Sequence, residues 1–363
     1  MNRNSRSKWL LAGMMILVFA FVGCSDDDDN GGTNPPPPAD DFNLVSALTD
    51  AYLFHYETAT NHLPININAQ TLYDANFGNS DPSDDYFIVD WRSSADYANA
   101  HIEGAVNWSL ADIIAHVNDG DFPTGMPICN VCYTGQTAST ATAILNLLGG
   151  DLGYDACNLL FGMSGWTSNT DYVGKDYMSK VSDDYNGWMT TTTYPKNDAG
   201  DYPSLGSSGK SAVDIIKERA SYYVQGHYNE FGSTWNMRSI NDVYDSISAD
   251  DGTWYVVNYF PDANYNAGHI PTAVQYAPKA SLQTDNTLNT LPTDQKILVY
   301  CYTGQTSAQV TACLNILGYH AYSLLFGVQA LCHSNSAINP HPYNPPSTDY
   351  PCVGTGVGSV AMR

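Results

Sequence analysis

Apolar residues fall along this chain in runs of distinct length and period. Residues 9–22 form an uncharged apolar stretch behind a basic segment carrying Arg3, Arg6 and Lys8. The stretch is too short for a dependable membrane span and reads as a secretory signal. Further on, short apolar runs ending in polar turns alternate with segments of helical period. Residues 86–90 predict a buried strand, 94–100 a short helix and 126–131 a second buried strand. Residues 138–148 predict a helix at 3.6 spacing, and 158–160 a further strand. Strands separated by helical crossovers make an α/β fold, a mainly parallel sheet covered by helices on both faces. Functional groups in such sheets lie beyond the carboxyl ends of the strands, and Cys132 stands there.

The pattern occurs twice. Cys132-Tyr133-Thr134-Gly135-Gln136-Thr137 returns as Cys301-Tyr302-Thr303-Gly304-Gln305-Thr306. Leu145-Asn146-Leu147-Leu148-Gly149 matches Leu314-Asn315-Ile316-Leu317-Gly318, and Leu159-Leu160-Phe161-Gly162 matches Leu324-Leu325-Phe326-Gly327. Upstream, His101-Ile102 answers His269-Ile270, and Leu72-Tyr73-Asp74 answers Val243-Tyr244-Asp245. Aromatic-bearing helical segments, 44–56 and 213–223, precede each copy. The unit of about 165 residues is a duplicated domain, not a solenoid repeat.

These patterns divide the chain into a signal (1–23), an acidic and Pro-rich tether (24–42), a first domain (43–189), a linker (190–210), a second domain (211–335) and a Pro/Gly-rich tail (336–363). The chain carries a net charge of −23, and the leader holds three basic residues and no acid, so the mature chain is more acidic still. Nucleic acid and anionic membrane surfaces are therefore not expected partners. Any anionic substrate must be captured by local dipoles against the overall field.

Phe21-Val22-Gly23-Cys24 resembles a bacterial lipobox, which implies lipidation at Cys24 and a cell-envelope location, on the outer membrane at its periplasmic or surface face. Val89-Asp90-Trp91-Arg92, then Tyr97, then residues 101–107 from His101-Ile102 to Asn107, look like the rhodanese signature. The run 132–138 resembles that family's active-site loop, and Gly162-Met163-Ser164-Gly165-Trp166 its closing motif. The resemblance covers roughly 63–170 and, less closely, 234–333: in the second copy Asp90 and Arg92 become Asn258 and Phe260, Gly104 becomes Thr272, and Gly165-Trp166 becomes Ala330-Leu331. It implies two rhodanese-like domains, each a mainly parallel sheet flanked by helices. Arg92 and Asp96 are jointly replaced by the uncharged Phe260 and Asn264, which suggests an exposed ion pair between them in the first copy, worth about 0.2–1 kcal/mol.

A cysteine where a strand turns into a helix is surrounded by unpaired backbone N–H groups and the positive end of the helix dipole. Gly135 and Gly304 permit the tight turn, and Thr134, Gln136, Thr137, Thr303, Gln305 and Thr306 add side-chain donors, with Tyr133 and Tyr302 completing the loops. Such a nest suits a thiolate or a persulfide. The resemblance therefore implies sulfur transfer, with Cys132 or Cys301 holding sulfane sulfur between a small donor and a thiophilic acceptor. Cys132 ranks slightly ahead, since the second copy departs more from the signature. Phosphatases of related architecture need an arginine six residues after the cysteine, where this chain has Ala138 and Ser307. Rhodaneses that use thiosulfate carry cations in this loop and neither loop here has one, so the resemblance implies that thiosulfate is a poor donor, with polysulfide, a protein persulfide or a selenium species as open alternatives. No cofactor or metal is implied, and His333 and His341 lack ligand spacing.

The remaining cysteines have duller expectations. Cys129 and Cys132 are three strand steps apart, roughly 10 Å, too far for a disulfide. Cys129 with Cys157, and Cys332 with Cys352, are candidate structural disulfides of an oxidising compartment. Cys313 is a core residue. Asp90 and Arg92 support the pocket, and His101 and His269 order a turn. The sequence thus points to an envelope sulfurtransferase or sulfane-sulfur carrier. The alternative is a silent rhodanese-like module of an envelope protein complex.

Overall fold

The computed structural model describes residues 44–47, 65–205, 210–226, 237–278, 281–282 and 287–357. The signal, the lipidation cysteine Cys24 and the tether lie outside the described residues, as does most of the helix expected over 44–56, of which Leu44–Ala47 is seen. Its counterpart in the second copy is the helix Ala212–Val224.

Each copy builds one five-stranded sheet, parallel throughout. The first contains β1 (Asn66–Ile67), β2 (Phe87–Asp90), β3 (Val106–Asn107), β4 (Ile128–Val131) and β5 (Ala156–Leu159), in the spatial order β1-β5-β4-β2-β3. The second contains β6 (Met237–Arg238), β7 (Trp254–Asn258), β8 (Val274–Gln275), β9 (Lys296–Tyr300) and β10 (Ala321–Leu324), in the matching order β6-β10-β9-β7-β8. The central strands are buried on both faces and therefore read as unbroken apolar runs.

The helices after the cysteine loops, Gln136–Leu152 and Gln305–Leu317, are buried almost all round over their first three turns. They pack against each other, and their side chains (Ile144, Leu148, Val310 and Leu317 among them) join one core that runs through both copies. Each such side chain contributes roughly 1.5–3 kcal/mol when buried. Two smaller cores cover the outer faces of the two sheets. The repeated Leu-Asn pair also has a job. Asn146 and Asn315 each grip the start of the next strand, accepting from the N–H and donating to the carbonyl of Ala156 and Ala321. All described residues of both copies belong to one compact unit.

The segment trailing each copy crosses to the other. Residues 190–205, expected as part of a linker, are pinned to the second copy, where Thr190 bridges His269 and Tyr194 bridges Val274. The tail after the second copy returns to the first, where Val353 bridges His101. The exchange is close to symmetric. Tyr185 N–H donates to Leu331 O (3.1 Å), and Tyr350 N–H to Trp166 O (3.1 Å), at matching positions.

Candidate functional site

Both cysteines sit where the sequence pattern puts them, one residue past a central strand and just before a long helix. Gly135 and Gly304 precede the helices with φ of +89° and +78°, a left-handed turn that favours glycine. The sulfur of Cys132 accepts from Gly135 N–H at 3.1 Å. Burial pushes this thiol above its ordinary range, and the backbone N–H groups of Ala138, Thr134, Gly135 and Thr137 pull it down, without cancelling the burial. Cys301 accepts from Ser307 N–H at 3.3 Å, and Ser307 is held in turn by Ser323 at 2.9 Å. Both thiols are closed off, at 1% and 3% exposure.

The second repeated motif explains how the loops keep their shape. Phe161 and Phe326 take φ of +63° and +62°, unusual for a bulky residue, and each leads into a glycine packed on the cysteine carbonyl. The turns then donate to the loops: Met163 N–H to Cys132 O (2.8 Å), Ser164 N–H to Tyr133 O (3.1 Å), and Val328 N–H to Cys301 O (3.0 Å).

At the mouth of the first loop, Tyr133 OH donates to Asp96 at 2.6 Å, and Lys175 lies 4.5 Å from the Tyr133 ring. Ser93 and then Tyr133 hold the Asp96 carboxyl below its usual range. Lys175 is a cation that the loop sequences lack. No sequence signal marks it, because it lies far downstream and reaches the loop only through the fold. In the second copy Tyr302 donates to Asn264 (2.7 Å), stacks on Phe260 and meets the edge of His341. Tyr177 is equally unmarked in the sequence. Fully buried, it lies between Phe161 and Phe326 and donates to Thr303 O at 3.0 Å.

Several expectations need correction. Arg92 pairs with Asp90, not with Asp96. The Asp90–Arg92 distance is 2.8 Å, and both side chains are buried. Asp90 is the last residue of β2, and the chain turns there, so the guanidinium folds back over the strand end instead of forward along the helix. Joint replacement in the second copy still holds, with Asn258 and Phe260 in place of the pair. The disulfides are absent: all seven described cysteines are free thiols. Cys129 and Cys157 are register partners on β4 and β5, and burial, then Cys129, push the Cys157 thiol well up. Cys332 and Cys352 belong to different cores, those of the second and first sheets, and so cannot clip the tail to its own copy. Cys129 and Cys132 enter cores on opposite faces of their sheet.

His101 and His269 are spoken for structurally. Each bonds through Nδ1 to the carbonyl four residues back, at 2.7 and 2.8 Å, and stacks on that tyrosine, Tyr97 or Tyr265. Among the described residues no three His, Cys, Asp or Glu side chains gather as metal ligands.

The raised Cys132 thiol carries a pH prediction. Thiolate grows as pH passes the thiol pKa, so a raised pKa moves the rise to higher pH. Alkylation of Cys132, followed by peptide mass spectrometry, is expected to keep accelerating beyond pH 9.0, the midpoint of an ordinary thiol. A plateau below that pH would show that burial does not govern this thiol.

Comparison with known proteins agrees with the geometry. The profile of the rhodanese-like domain matches residues 70–169 and again 241–332, together more than half of the chain. Among solved structures, the chain is similar to a thiosulfate sulfurtransferase from Pseudomonas aeruginosa, at 14% identity over 77% of this chain and 45% of that one, with a TM-score of 0.28. It is similar to a rhodanese-like domain protein from Staphylococcus aureus, at 23% identity over 28% of this chain and 89% of that one, TM-score 0.23. It is also similar to a rhodanese-related protein from Thermoplasma volcanium, at 20% identity over 33% and 98%, TM-score 0.22. No curated protein matches significantly. With two matched segments, each ending its cysteine strand in the same loop, the chain belongs to the rhodanese-like domain family and carries that domain twice.

Proposed function

We propose that this protein is a cell-envelope sulfurtransferase or sulfane-sulfur carrier, lipid-anchored through Cys24, that works through a cysteine persulfide. The observation that carries the reading is the ring of backbone N–H groups around the Cys132 sulfur at the start of a long helix. Fixed dipoles of this kind stabilise a sulfur anion without a cofactor. The thiolate attacks the outer sulfur of a donor, and the donor's sulfur–sulfur bond breaks with its electron pair leaving on the departing group. Attack by a thiophilic acceptor on the outer sulfur of Cys–S–S⁻ then returns the thiolate. Lys175 beside the first loop favours Cys132 for capture of an anionic donor.

Closure of both thiols favours a second reading, a silent binding module of an envelope complex. One experiment separates them. The mature protein is exposed to thiosulfate and, separately, polysulfide, alkylated, and mapped by mass. One added sulfur on Cys132 or Cys301, removed by cyanide as thiocyanate, is the expected result. Thiols that stay unmodified with every donor would leave the binding module. Release of the protein from membranes by detergent but not by salt is the expected sign of the lipid anchor.

A further inference from the structure

The two cysteine loops hold each other's supports. Gln305, in the second loop, reaches across to the first copy, where its Oε1 accepts from Phe161 N–H at 2.9 Å and Asn158 Nδ2 at 2.8 Å. Gln136, in the first loop, reaches back, and its Oε1 accepts from Phe326 N–H at 3.0 Å. Each accepted backbone N–H belongs to the strained phenylalanine whose turn props the cysteine loop of its own copy, through Met163 to Cys132 O and through Val328 to Cys301 O. The glycine of each loop makes room for the visitor. A Cβ on Gly135 would lie 2.1 Å from Gln305 Oε1, and one on Gly304 would lie 2.7 Å from Gln136 Oε1.

We propose that Gln136 and Gln305 are exchanged positioning residues, each setting the reactivity of the cysteine in the other copy, so that the two thiol sites act as one coupled pair. A seam built for stability alone would be apolar. This one instead leaves Gln305 Nε2 and Asn158 Oδ1 buried without a partner among the described residues, an arrangement that costs stability. The coupling is unequal. Gln305 holds two donors of the first copy and Gln136 one donor of the second, because Ser323 stands where the first copy has Asn158 and turns to Ser307. Cys132 therefore depends on Gln305 more than Cys301 depends on Gln136. The coupling concerns the thiols and not their cargo, so failure of the sulfur-carrier reading leaves it standing.

The test is a timed iodoacetamide pulse on the mature protein over a range of pH, with each cysteine followed separately by peptide mass spectrometry. Gln305→Met, which keeps the length and removes the acceptor, is expected to change the alkylation rate of Cys132 at least fivefold and to shift its pH profile. Cys301 should stay within twofold. Gln136→Met should give the mirrored pattern, with a smaller change at Cys301. If Gln305→Met does not fold, Gln305→Asn withdraws the acceptor by one methylene and serves in its place. Substitutions that act on the cysteine of their own loop, on both cysteines equally, or on neither would overturn the coupling.

Discussion

Arg92→Met is expected to destabilise the protein by about 3–5 kcal/mol, the usual consequence of stranding one member of a buried ion pair. The Arg92 and Asp90 side chains are 0% and 1% exposed. Arg92 also donates to the carbonyls of Tyr172 (2.8 Å) and Ala100 (2.5 Å), which ties the end of β2 to the segment behind the closing helix. Methionine fills the space but supplies no donor to the Asp90 carboxylate or to those carbonyls. The second copy shows what a tolerated loss looks like, since Asn258 and Phe260 remove charge and counter-charge together. The double variant Asp90→Asn, Arg92→Phe should therefore recover at least half of the stability lost by Arg92→Met. The remainder stays lost because Asn258 leans on the Tyr300 hydroxyl at 2.7 Å, where the first copy has Val131. Urea unfolding of the three proteins checks this. A loss below about 1 kcal/mol in Arg92→Met would place the pair among the solvent-screened bridges.

If the protein carries sulfane sulfur as proposed, Gly162→Ala is expected to cut persulfide loading at Cys132 at least tenfold, while Cys301 still loads. Gly162 has φ of +57° and ψ of −141°, a combination that costs a residue with a side chain about 1–3 kcal/mol. Space is the larger obstacle. The new Cβ would lie 2.3 Å from Cys132 O and 2.9 Å from Gly135 N. Both are backbone atoms of the cysteine loop, so relief of the clash moves the N–H groups that face the sulfur. Gly327→Ala should do the same to Cys301, whose carbonyl would lie 2.1 Å from the added carbon. The check is the sulfur content of each cysteine after polysulfide treatment, with thermal unfolding to show that the variants fold. Equal loss at both cysteines in Gly162→Ala would show that the damage spreads beyond one loop.

The parts of this fold that can be read in the sequence are those with a strong local signal. Strands β2, β4 and β5 appear as apolar runs because both their faces are covered, and the repeated Cys-Tyr-Thr-Gly-Gln-Thr marks the turn into each long helix. The edge strands β1 and β3 pair over two residues each, too few for any period to show. The helix expected from residue 138 begins at Gln136 and runs to Leu152. Gln136 and Thr137 are polar and fall outside an apolar stripe, although the left-handed Gly135 has already started the helix. Lys175, Tyr177 and the exchanged glutamines are illegible for a different reason. Their partners lie in another part of the chain, and nothing local distinguishes a glutamine facing water from one that reaches across a seam. Helical spacing assigns Arg92 to the wrong carboxylate because that spacing applies only after the chain has entered the helix.

The exchanged segments that pin Thr190 to His269 and Val353 to His101 bear on how such a molecule comes to exist and how it comes apart. Each copy with its own trailing arm carries one half of every clasp. A shorter ancestral gene encoding a single copy and its arm would have held the whole set, provided that two products met and traded arms as a homodimer. Fusion of two such genes would then fix the partner without inventing an interface. The same geometry makes the joined protein resistant to being halved, because a protease that nicks the connection still leaves two fragments gripping each other by both arms.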